Sequence, residues 1–401
     1  MEGVFLCYRT DDQHVIDICN RYWALGPQGL WHEKVDPIAL DAGVPKHSVV
    51  KFIQQACTAF SIRARCGDCG TPVQVKSRTD FAASKKFAPK CETCYEQEKA
   101  RRAQQIAQQQ EDKRASELAA AAEIRQQLLE INEALLPCDY QSLGFVTSAL
   151  LYAALTTAGE AWQDATLLSL DCQANSLTPT LDGSIAIYER LKDAGILCLS
   201  PSSPHGSVII EGDRLAYYPP RVNWTLAEDS EGIPWSDLLT VLEVSFHSPT
   251  AEALESLWHI VATEECKAYL FEMYAKYKFF DAEYSDRIAE SINYALQYYP
   301  IPKVWNIISF TLLKLAALMQ AGTHTKKHVY NMIPGNIRRS VDKLIADNRE
   351  IRSWTRRSET KEAFLTGLLF DKILGGGTDD FNSVTSANIH DAAERLGNIP
   401  Y

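Results

Sequence analysis

Hydrophobic positions along the chain change period several times, and each change marks an element. In 11–25, Val15, Ile16, Ile18, Cys19, Tyr22 and Trp23 fall near one face of a helix, which "GPQG" then ends. A short helix is predicted over 36–42 and a longer one over 46–60. The pattern in 61–81 is strand-like and brackets "CGDCG". From 95 to 136 the chain is Ala, Gln, Glu, Lys and Arg with no Gly or Pro, a strong helix composition. Its first half has almost no apolar stripe. Its second half carries Ile124, Leu128, Ile131 and Leu135 at 4-3-4 spacing, an a/d seam of under two heptads. Two readings of the seam stay open: packing on the next domain, or a homodimeric coiled coil.

Pro137 ends that helix. In 138–226, "GSIAIYERLKDAGILCLSPSSPHGSVIIEGDRLAYY" predicts an amphipathic helix, a Gly stop and two strands joined by a Ser/Pro/Gly turn. That order resembles a winged-helix module; a small α+β packing domain is the other reading. "RVNWTLAEDSEGIPW" reads as a linker. The remainder, 234–401, is mostly helical, with stops at Pro300, Pro302, Pro334 and Gly375–Gly377. The expectation is a mainly α, multi-domain chain. It comprises a helix-turn-helix domain (1–60), a four-cysteine module (61–98), a long helical linker (99–137), an α+β domain (138–226) and a helical domain (234–401).

Composition changes this picture in two places. The 401-residue chain is acidic, with a formal net charge of −11. Residues 44–102 nevertheless hold 12 Lys/Arg against 5 Asp/Glu, about +7, which points to a local polyanion contact. Eleven cysteines, seven of them scattered among apolar neighbours, point to reduced thiols and a cytoplasmic setting. The acidic N-terminus is unlike a signal peptide. "VWNIISFTLLKLAALM" is too short and too interrupted to predict a membrane span.

Two motifs carry chemistry. In "IALDAGVPKHSVVKFI", Ala39 is followed four residues on by Gly43, then Val44, with Val49 and Ile53 in register. A small residue lets two helices cross, Gly43 tolerates a left-handed turn, and Pro45 suits a helix start. The stretch resembles the helix-turn-helix of lac-repressor-type bacterial regulators over about sixteen residues. In that family the second helix enters the major groove, so the resemblance assigns base contact to Lys46, His47 and Lys51, with Gln55 on the same outward face. It departs from the family at Pro45, where a capping Ser or Thr is usual, and no hinge or sugar-binding domain follows. A packing or protein-binding role for the motif stays open.

Cys66-x-x-Cys69 and Cys91-x-x-Cys94, 21 residues apart, have four-thiolate metal spacing. "CGDCG" resembles a zinc knuckle, and the second pair opens a helix, an arrangement resembling a treble clef. One structural zinc ion is the expected cofactor. Redox use is disfavoured by two pairs without a βαβ context, and catalysis by four thiolates that close the coordination sphere. Arg63, Arg65, Lys76, Arg78, Lys85, Lys86 and Lys90 are candidates to extend a phosphate-contacting surface; a solvated face is the bland alternative.

Weaker features complete the reading. Residues 326–361 hold ten Lys/Arg against four Asp/Glu, with Trp354 among them, and His324 and His328 lie one helical turn apart. The triple Gly lacks the Lys-Ser/Thr of a phosphate loop, and no nucleophile elbow, HExxH or kinase signature is present, which argues against an enzyme. The expected function is DNA binding braced by zinc, as a transcriptional regulator or a DNA-engaging part of a mobile element or defence system. The alternative is a scaffold whose N-terminal module docks a partner protein.

Overall fold

The computed structural model describes residues 3–84, 90–211, 214–247, 249–322, 324–356 and 362–397. It is mostly helical, with small antiparallel sheets, and divides into two compact units, Met1–Leu118 and Ala119–Tyr401.

The first unit runs β1 (Val4–Tyr8), α1 (Gln13–Trp23), α2 (Val35–Asp41), a 3-10 turn (Lys46–Ser48), α3 (Val49–Ala56), β2 (Cys57–Arg65), β3 (Pro72–Val75) and α4 (Arg78–Ser84). Asp12 caps α1 by accepting from the amides of His14 and Val15. Between α2 and α3 the backbone turns at Gly43, where φ is +63°. The Val44 amide closes that turn on the Ala39 carbonyl at 3.1 Å. Nothing lies within 4 Å of a Cβ placed on Gly43, so the backbone angle alone asks for glycine. Ile18, Tyr22, Ile38, Ala39, Val49 and Ile53 form the core of this unit.

The strands pair in the order β1-β2-β3. Sequence extends the helix of α3 to Phe60, whereas Cys57–Phe60 belong to β2 and pair with Tyr8–Phe5 of β1. The periodicity of α3 cannot reveal this, because the partner strand lies some fifty residues earlier. Val4 and Leu6 face the core and Phe5 and Cys7 are exposed, the alternation of a half-buried strand.

The boundary between units falls inside α5 (Glu92–Glu133), whose 42 residues span about 63 Å at 1.5 Å per residue. From 99 to 120 every residue of α5 is exposed. Leu128 is buried in the core of the second unit, and Ile124 packs against it. Leu128 and Ile124 thus join their own chain's core, the first of the two readings of the seam, while Ile131 is exposed.

In the second unit α6 (Phe145–Ala158) is apolar all round and buried. It leads to β4 (Thr166–Leu167), α7 (Leu181–Asp193), β5 (Leu197–Leu199), a β6–β7 hairpin (Val208–Glu211 and Arg214–Tyr217) and β8 (Trp224–Leu226). Sequence joins β5 and β6 as a hairpin. Instead β5 pairs with β8 in a sheet ordered β4-β8-β5, and β6 pairs with β7. Helices α8 (Leu238–Val244), α9 (Ala251–Tyr277), α10 (Asp286–Tyr298), α11 (Ile301–Gln320) and α12 (Lys326–Ala346) follow, then shorter helical segments to Gly397. Residues 138–226 and the later helices share one hydrophobic core. By length and composition α11 could cross a membrane, but two-thirds of its apolar window (67%) is buried inside this unit, as in a core helix.

Candidate metal centre and basic surface

Cys66 ends the β2 side of a tight hairpin. Its amide donates to the Thr71 carbonyl at 2.8 Å, and the Gly70 amide returns to the Cys66 carbonyl at 2.9 Å. Gly70 has a φ of +73°, the left-handed conformation the knuckle needs after its second cysteine. Cys91 immediately precedes α5, and its carbonyl accepts the first helical bond, from Tyr95, at 2.9 Å. The knuckle and the helix start bring the Sγ atoms of Cys66, Cys69, Cys91 and Cys94 within 4.8 Å of one another. Cys69 and Cys91 are 3.5 Å apart. A tetrahedral thiolate site with metal–sulfur bonds of about 2.3 Å has sulfur–sulfur edges of about 3.8 Å. The cluster fits that size.

Its electrostatics fit too. The backbone amides of Cys91 and then Cys69 lower the Cys66 thiol to about 6. The hydroxyl and amide of Thr71 hold Cys69 below its ordinary range. Cys69 and Cys91 push Cys94 far upward, because crowded sulfurs resist carrying four negative charges. A divalent cation removes that conflict by neutralising the thiolates, which is the chemistry this donor set offers. Lys90 braces the two halves, donating to Asp68 of the knuckle at 3.1 Å and Glu98 of α5 at 2.6 Å. Among the described residues, these cysteines are the one cluster of three or more metal-ligating side chains found.

The predicted nucleic-acid residues separate into groups. His47, Lys51 and Gln55 are exposed while Val49, Ile53 and Ala56 face the core, so α3 presents a polar outer face. Lys46 is exposed but ion-paired to Asp36 of α2 at 2.8 Å. Arg63 is exposed, and Arg65 donates to the Gly70 carbonyl at 3.1 Å. Lys76 meets Glu92 at 3.4 Å. Lys85 and Lys86 lie outside the described residues.

Arg78 is a correction. It is only 9% exposed. Its guanidinium donates to the carbonyls of Tyr22 and Glu33, both at 2.7 Å, and lies 4.5 and 4.8 Å from the ring centres of Tyr22 and Trp31. Burial pulls it below its ordinary pKa. A guanidinium so engaged pins α4 to the end of α1 and cannot also hold a phosphate.

The basic stretch 326–361 is partly absorbed as well. Arg356 pairs with Glu265, which is 2% exposed, at 2.8 Å, and Thr366 donates to the same oxygen at 2.6 Å. Arg338 pairs with Glu290 at 3.3 Å, and Trp354 stacks on Phe310. His324 and His328 have ring centres 5.0 Å apart, and among the described residues no third ligand is grouped beside them.

Sequence reasoning missed the outward face of the small sheet, where Phe5 is 61% and Ile62 51% exposed. The signal was the apolar, strand-favouring run "VFLCY", too short to identify a strand without its partner and without the alternation that would tell one face from the other. Compared with known proteins, the chain matches no family model, no curated protein and no solved structure.

Proposed function

We propose that the first unit is a DNA-binding module braced by one structural zinc ion, and that α3 is its reading helix. The observation that carries this is the pairing of two features within about fifty residues. One is a helix pair turned at Gly43, with Ala39 and Ile53 buried and His47, Lys51 and Gln55 outward. The other is a four-sulfur cluster holding the following hairpin to α5. Four thiolates favour zinc over harder cations. The likeness to lac-repressor-type regulators gives Lys46, His47 and Lys51 base-edge or phosphate roles, and Gln55 shares their exposed face. The ion pair with Asp36 makes Lys46 the weaker contributor. The seven thiols outside the cluster agree with a reducing, cytoplasmic setting.

The strand order β4-β8-β5 supports a winged-helix reading of 138–226, with α7 in the place of the reading helix. The start of α7 is occupied, however. Thr180 bonds Glu264 of α9, and Asp182 lies 3.4 Å from Lys267. That module serves as a packing unit, and DNA contact is assigned to the first unit.

The test uses the full chain and a labelled pool of random-sequence 30-bp duplexes. Wild-type affinity should fall steeply with salt, as phosphate contacts require. Lys51→Ala with Gln55→Ala should weaken binding at least tenfold while metal content is retained. Unchanged binding in that variant would overturn the assignment to α3.

A further inference from the structure

The strands β1, β2 and β3 carry Arg63 and Arg65 and no Asp or Glu. Their inner face is spent on the core, through Val4, Leu6, Cys57, Ala59 and Val75. The outer face is not. Phe5 stands opposite Phe60, and Phe60 opposite Gln74, so one row crosses all three strands. Directly opposed antiparallel residues have Cβ atoms about 4.5–5.5 Å apart, which roots both phenyl side chains on one surface. Phe5 is 61% exposed, Ile62 51%, and Phe60 half-buried. Arg9, just after β1, donates to Thr58 Oγ1 at 2.9 Å and so sets a guanidinium on this same face. Past a register shift after Phe60, Arg65 stands opposite Pro72, in line with Gln74, and so returns to this face at its hairpin end, with Arg63 exposed two residues before it.

Two rings on one open sheet face, bordered by cations at both ends, suit one ligand chemistry. Bases lie flat on the rings and phosphates meet the guanidinium groups. Paired bases cannot use such a surface, because their faces are already stacked inside the duplex. A second copy of this chain is a poorer occupant. In a two-fold contact each patch meets itself, which would bring arginines towards arginines.

We propose that this face binds a single strand of DNA, with Phe5 and Phe60 stacking bases and Arg9, Arg63 and Arg65 holding phosphates. The choice of DNA over RNA rests on the function proposed above; the platform itself does not, since it shares no residue with the outer face of α3.

Fluorescence anisotropy of the full chain with labelled oligo(dT), oligo(rU) and the duplex pool, alongside light scattering, tests this. Phe5→Ala should weaken oligo(dT) binding at least fivefold, and Phe5→Ala with Phe60→Ala further. Phe5→Trp should preserve it, and duplex binding should not change. Should the double variant lose its metal and fold, the exposed Phe5 pair, Ala against Trp, decides alone. No wild-type binding to oligo(dT), or unchanged affinity in Phe5→Ala, overturns the platform. So does a Phe5→Ala variant whose only change is a lower molecular mass. Tighter binding of oligo(rU) than oligo(dT) overturns the assignment to DNA. Lys51→Ala with Gln55→Ala should leave oligo(dT) binding intact, so failure of the reading helix and failure of the platform are distinguishable.

Discussion

Replacing Arg78 with Met keeps most of its volume and deletes its charge and donors. Two carbonyls, of Tyr22 and Glu33, then lose bonds of 2.7 Å in a site that is 9% exposed. An unsatisfied buried acceptor costs about 1–3 kcal/mol. The two ring contacts contribute about 0.5–2 kcal/mol each, and the methionine sulfur recovers part of that against the same rings. Against these losses stands the relief of no longer burying a cation, whose lowered pKa records the penalty. The net expectation is a loss of about 3 kcal/mol, in line with other broken buried charge networks. Native-state hydrogen exchange reads this locally. Amides in 18–33 that exchange through opening of the first unit should do so about 150-fold faster, at about 1.4 kcal/mol per factor of ten. Amides of α11 serve as the internal control. An acceleration under fivefold would refute the staple. A fall in duplex affinity without faster exchange would return Arg78 to the phosphate surface.

Two further outcomes follow from the same geometry. The purified protein should carry one zinc ion per chain by elemental analysis, and Cys66→Ser or chelation should release it and open the hairpin together with the start of α5, because metal binding and folding are linked there; a metal-free protein with a protected hairpin contradicts the site. Leu128→Ala should destabilise the second unit by about 2–5 kcal/mol, leaving the mass by light scattering unchanged; a shift to half the mass would restore the seam to an interface between chains.

What could be read from the sequence was local. The two Cys-x-x-Cys pairs announce their cluster because each turn fixes two ligands within four residues. The turn at Gly43 is legible because backbone geometry asks for one residue type there. Arg78 was not legible, since everything it touches lies 45 to 57 residues earlier in the chain. A lysine-rich neighbourhood makes any arginine look like surface. The same distance hid β1, whose partner strand begins at Cys57. The pairing of β5 with β8 rather than β6 was hidden for that reason too. The seam in α5 was recognisable as apolar spacing, but spacing does not say which surface covers it. The second unit's own core covers Leu128 and Ile124.

The exposed part of α5 bears on how the folding of this protein is measured. Residues 99–120 are helical without a core beneath them, supported by composition and by i,i+4 pairs such as Lys113 with Glu117. Such a stretch has no cooperative melting point; it frays gradually as temperature rises. The chain before and after it belongs to two units with separate hydrophobic cores. Far-ultraviolet ellipticity will therefore decline well before either core opens. A single midpoint fitted to it would average three processes. Helix content is the wrong coordinate for this chain: tertiary probes placed in each unit separately will report when it actually unfolds.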